Sequence, residues 1–96
     1  MREQQFEIFL SNERTIKSHK AVASRIAKGK KAEAILGLDL DTIVANDDTM
    51  YESLVELGKH DSPEHAPLQN AVRKYYKFTH ERQFPKLKDY HSPKHP

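Results

Sequence analysis

An all-α domain, a small bundle of four to five short helices, is what this chain predicts, and three observations lead there. Every apolar stretch repeats at the 3.6-residue helical period, none alternates as a strand does, and helix starters and stoppers punctuate the periodic segments. Ninety-six residues suffice for one modest core, so a single unit is expected.

The first helix covers residues 4–10, where Phe6, Phe9 and Leu10 fall at i, i+3 and i+4. It is too short to persist alone and must dock. Thr15 is the expected N-cap of a second helix from Ile16 to Lys28, burying Ile16, Ala23 and Ile26 with His19 on the apolar side. Gly29 interrupts the pattern, and KKAEAIL reads as a short helix stopped by Gly37 at C′. Leu38 and Leu40 are expected to cover the core. The run DLDTIVANDD fails as a calcium loop, since Ile43 replaces an oxygen ligand and Val44 the required glycine. Asp41, and Asp47 or Asp48, are read instead as helix N-caps. From Thr49 to Leu57 another helix turns Met50, Tyr51, Leu54 and Leu57 inward and Glu52 and Glu56 outward, and Gly58 ends it.

The strongest amphipathic stretch is Ser62 to Phe84. Ser62, Pro63 and Glu64 resemble an N-cap, a first-turn proline and an acid facing the helix dipole, while Pro67 sits in the first turn or starts the helix afresh. Leu68, Ala71, Val72, Tyr75 and Phe78 or Thr79 form the inner stripe, and Arg73, Lys74, Lys77 and His80 turn away. The domain is set at residues 1–87. Prolines then favour an extended, flexible basic tail over 88–96, carrying Lys88 and Lys94.

Apolar content of 36% against 31% charged residues implies a small core under a highly charged surface. The chain has no cysteine, which removes disulfide and thiolate chemistry and fits a reducing cytoplasm. No apolar run approaches membrane-spanning length, so no membrane association is expected. The net charge is +2 but is segregated. Residues 1–37 hold eight Lys or Arg against four acids, 38–64 one against eight, and 65–96 seven against two. Segments of +4, −7 and +5 can give one molecule a basic and an acidic side, the electrostatic footprint of a nucleic-acid binder.

Chemistry is sparsely marked. No nucleophile, base and orienting group are signalled together, so the chain is not expected to be an enzyme and no catalytic residue is assigned. Six histidines lack an HExxH helix or cysteine partners, and no metal site is assigned. Only Gly29, Gly37 and Gly58 are present, too few for a phosphate-cradling loop, and no cofactor is expected.

With the helices in this order, the chain from Phe6 to Leu87 resembles the N-terminal core-binding, SAM-like domain of the tyrosine recombinases, or phage integrases. Thr15-Ile-Lys-Ser-His19 looks like the family's Thr-x-x-x-aromatic helix start, with histidine for the usual tyrosine. Leu40-Asp-Thr-Ile43 looks like its Leu-Asp-x-Ile segment, and Leu68 to Phe78 like its apolar, arginine and aromatic last helix. Phe84-Pro85 stands roughly where the family has Asn-Pro, and the recombinase catalytic domain does not fit in this chain. The resemblance implies a four-helix bundle that clamps duplex DNA through its second and last helices, in DNA recombination and integration. On that basis Lys17, Lys20, Arg25, Lys28, Arg73, Lys74 and Lys77 are the expected phosphate contacts. The alternative is a protein-interaction or regulatory accessory protein of a mobile element, using the acidic middle or Tyr75 and Tyr76 against a protein partner.

Overall fold

The computed structural model describes residues 1–13 and 18–91. Among them are five α-helices and no strand: α1 (Glu3–Ser11), α2 (His19–Leu36), α3 (Leu40–Val44), α4 (Asp47–Gly58) and α5 (Pro67–His80), followed by a 3-10 turn at Leu87–Asp89. The all-α bundle expected from the periodicity is the observed architecture.

The longest helix departs from expectation. Where two helices broken at Gly29 are predicted, α2 runs through without interruption. Gly29 is buried, and a Cβ there would lie 3.3 Å from Leu40 Cδ1 and 3.4 Å from Met1 Cε. The glycine therefore lets α3 and the N-terminus approach the helix closely; its propensity cost is outweighed by packing. The buried stripe is Val22, Ile26, Gly29 and Ala32, at i, i+4, i+7 and i+10. That rotation exposes Ala23 and His19, both expected inside. Ser18 caps the helix, its Oγ accepting from Ala21 N–H at 3.1 Å, and Gly37 ends it at φ 67° with its N–H on Glu33 O at 2.8 Å. The Thr15 cap, Ile16 and Lys17 lie outside the described residues, as does Lys94.

Capping shifts by one or two residues at the next two helices. Asp39, not Asp41, caps α3 by accepting from Asp41 N–H at 2.7 Å. Asn46, rather than Asp47 or Asp48, caps α4 by accepting from Thr49 N–H at 3.0 Å. The released aspartates take tyrosine hydroxyls instead: Tyr75 to Asp41 at 2.5 Å, Tyr76 to Asp47 at 2.8 Å and Tyr90 to Asp48 at 2.6 Å. These bonds tie α5 and the chain beyond it to α3 and α4.

Helix α5 begins at Pro67, so the cap expected at Ser62 is corrected. Ser62 closes a local turn, accepting from His65 N–H on Oγ at 3.2 Å and from Ala66 N–H on its carbonyl at 3.1 Å. The first α5 amides are held by Asp61, whose two carboxylate oxygens accept from Leu68 N–H at 2.7 Å and Gln69 N–H at 2.9 Å. A charged cap of this kind also meets the helix dipole.

The core joins Phe6 and Leu10 of α1, Val22 and Ile26 of α2, Leu40 and Ile43 of α3, Met50, Leu54 and Leu57 of α4, and Leu68, Val72, Tyr75 and Tyr76 of α5. Phe6 meets the Tyr75 ring edge-on at 4.9 Å, a favourable aromatic geometry. Leu38, expected to cover the core, is exposed. Past α5 the chain reverses at Glu81 and lays Phe84 against Tyr76. Tyr90 stacks on Tyr51 at 5.2 Å, which ties the chain after the 3-10 turn to α4.

Candidate nucleic-acid interface

Helices α2 and α5 form the most extensive helix pair of the bundle. Their packing leaves a surface groove of about 230 Å³ lined by Ala21, Ser24, Arg25, Lys28, His65, Pro67 and Asn70. On α2, Ala21, Arg25 and Lys28 stand at i, i+4 and i+7, and on α5 Asn70, Lys74 and Lys77 repeat that spacing. The α2 stripe lines the groove throughout, whereas of the α5 stripe only Asn70 does. The second and last helices expected to act together are neighbours.

Each proposed contact has a distinct environment. Lys20 is exposed, and Arg25 and Lys28 are half-buried. None of the three meets an acid among the described residues. Burial pushes the Arg25 guanidinium below its ordinary value. Arg73 was expected to point outward and does not. Its Nη1 donates to Phe84 O at 2.9 Å and Pro85 O at 3.2 Å, and burial lowers its pKa too. This arginine secures the chain reversal after α5, a use invisible to helical periodicity. Lys74 and Lys77 both donate to Glu13 Oε1, at 2.9 and 3.2 Å. Hydrogen bonds from Lys74 hold the Glu13 carboxyl below its usual range, with Lys77 adding to the effect.

Asn70 and His65 were not singled out as groove residues in the sequence. Asn70 was findable, because it stands four residues before Lys74; its Nδ2 donates to His65 O at 2.8 Å and so anchors the loop wall of the groove. His65 follows from the turn closed by Ser62, which periodicity does not reveal.

The acidic side is largely committed to internal bonds. The Met1 ammonium lies 2.6 Å from Asp39 and 3.2 Å from Glu33, and Arg2 Nε lies 3.2 Å from Asp41. Tyr75 and Tyr76, the aromatic surface of the protein-interaction reading, are fully buried. A second depression, about 420 Å³ between α1 and α2, has Val22 and Ile26 at its floor and Glu3 paired with Lys30 at 2.8 Å on its rim. Among the described residues no group of three or more His, Asp or Glu side chains is placed to hold a metal ion, and no helix is long and apolar enough to cross a membrane. No protein-family model, curated protein or solved structure matches the chain.

Proposed function

We propose that the chain is a non-catalytic DNA-binding module that contacts duplex phosphates along the seam of α2 and α5. The observation that carries the reading is Arg25: a half-buried guanidinium beside Lys28 in an open groove, with no acidic partner among the described residues. A partly desolvated, unpaired cation is costly, and an incoming anion offsets that cost. A phosphodiester fits the groove's lining, since Arg25 and Lys28 supply charge and Ser24 and Asn70 neutral polar groups. Lys20, exposed four residues before Ser24, adds a cation N-terminal to the groove. The likeness to recombinase core-binding domains adds support, because their second and last helices are the DNA-contacting pair.

The role of each cation is to position a backbone and not to read bases. Binding is therefore expected to be sequence-independent, with a dissociation constant of about 1–100 micromolar at low salt. With about three phosphate contacts, the logarithm of the affinity falls with the logarithm of salt concentration at a slope of roughly −3. Fluorescence anisotropy of a labelled 20-base-pair duplex tests this. The double reversal Arg25→Glu/Lys28→Glu is expected to abolish binding while circular dichroism shows the helices retained. Absence of low-salt binding by the wild type, or binding indifferent to the reversal, overturns the reading.

A further inference from the structure

The loop that leads into α5 carries His65 to the wall of the α2–α5 groove, where it joins Arg25 and Lys28 of α2. Its backbone is pinned on both sides: His65 N–H donates to Ser62 Oγ at 3.2 Å, and its carbonyl accepts from Asn70 Nδ2 at 2.8 Å. Ala66, the next residue, stands at φ 45° and ψ 53°, a left-handed conformation that alanine adopts at a cost. Such strain persists where surrounding bonds over-determine it, and Ala66 N–H is itself held by Ser62 O at 3.1 Å. These bonds fix where His65 stands and leave its imidazole to solvent, with the side chain 82% exposed.

The charges around this ring come from two elements. From α2 the groove brings Arg25 and Lys28, and from α5 the uncharged Pro67 and Asn70. The loop adds Glu64, whose carboxylate lies 4.0 Å from His65 Nε2 and is 85% exposed, an arrangement too open to bind the ring firmly. Asp61 is taken up by the Leu68 and Gln69 amides. Two groove cations therefore oppose a proton on His65 in the free protein, and a phosphate seated among the three reverses that bias. Histidine is the side chain that changes charge near neutral pH, and its charged form donates from both ring nitrogens.

We infer that protonated His65 is a further phosphate contact of the α2–α5 groove, so that duplex binding takes up a proton at this residue and strengthens as the solution is acidified. The inference rests on the DNA-binding reading and adds to it a pH control. On the alkaline side His65 is a neutral part of the wall, and phosphate contact is carried by the α2 cations. On the acidic side the groove gains a cation on its second wall, and the duplex is held from both.

Fluorescence anisotropy with the same 20-base-pair duplex, read at about pH 5.5 and about pH 8, tests this. The wild type is expected to bind roughly tenfold tighter at the lower pH, with a salt slope steeper by about 1. His65→Gln should lose most of both changes, whereas His60→Gln, in the same loop but outside the groove, should keep them. His65→Arg reads the same claim without acidification: at the higher pH it should bind about as tightly as the wild type does at the lower. If the wild type binds equally at both pH values, or His65→Gln keeps the wild-type change, while Arg25→Glu/Lys28→Glu still abolishes binding, the histidine contact is overturned and the DNA-binding reading stands. An equal loss in His60→Gln also overturns it, because the effect would then come from overall charge. If the wild type binds no duplex at either pH, both fall.

Discussion

Tyrosine hydroxyls show most directly how single residues hold this fold. Tyr76 buries its ring completely and donates to Asp47, and the Tyr75 hydroxyl donates to Asp41 while accepting from Arg2 N–H at 2.8 Å. Ionising either phenol would place an anion in the core beside a carboxylate. Burial, reinforced by the bond to Asp47, pushes Tyr76 from its ordinary 10.0 up to about 12, and burial raises Tyr75 as well. Because the folded value lies above the unfolded one, the stabilisation is complete below pH 10 and is lost as pH climbs toward 12. Helicity followed by circular dichroism is expected to hold to about pH 10 and then fall, together with late tyrosinate absorbance. In Tyr76→Phe the part of the alkaline loss owed to this residue should disappear. An alkaline transition unchanged in that variant would count against the assignment.

At the scale of the element, Gly29 separates the two accounts of α2. If it were a breaker, a larger residue would extend the helix and stabilise the protein. Since it is a contact glycine beneath Leu40 and Met1, Gly29→Val should overpack the site and cost about 1–3 kcal/mol in thermal or denaturant unfolding. A stabilised variant would restore the two-helix picture. The same contrast explains what could be read in advance. Phe6 and Leu10, the Met50, Leu54 and Leu57 stripe and Gly37 as a stop are local signals, set by spacing or by one residue's backbone preference, and Pro67 as a fresh start was one of two readings that its own backbone allows. Gly29 could not be read, because its partners are ten or more residues away in sequence. Asp61 capping α5 from across a turn, and Arg73 holding the Phe84 carbonyl, are likewise tertiary bonds with no periodic signature. Tyr76 was missed for a related reason: α5 is covered on a second side by Phe84 returning from the tail, which widens its buried face.

Across the whole molecule, the segregation of charge is legible in sequence while its use is not. The acids of 38–64 mark a real region of α3 and α4, but Asp39, Asp41, Asp47 and Asp48 bind an ammonium, a guanidinium and tyrosine hydroxyls. The cations divide similarly. Arg73 serves the fold and Lys74 and Lys77 meet Glu13, whereas Lys20, Arg25 and Lys28 on α2 meet no acid among the described residues. The central claim is that a duplex docks on this seam and nowhere else. Titration of the 15N-labelled protein with a 20-base-pair duplex, followed by amide chemical shifts, tests it most directly. The account predicts that the largest shifts fall on Ala21, Ser24, Arg25, Lys28 and Asn70, fade with added salt, and leave Glu52 and Glu56 on α4 unmoved. Shifts centred on α4 or on the α1–α2 depression, or no shifts at low salt, would contradict it.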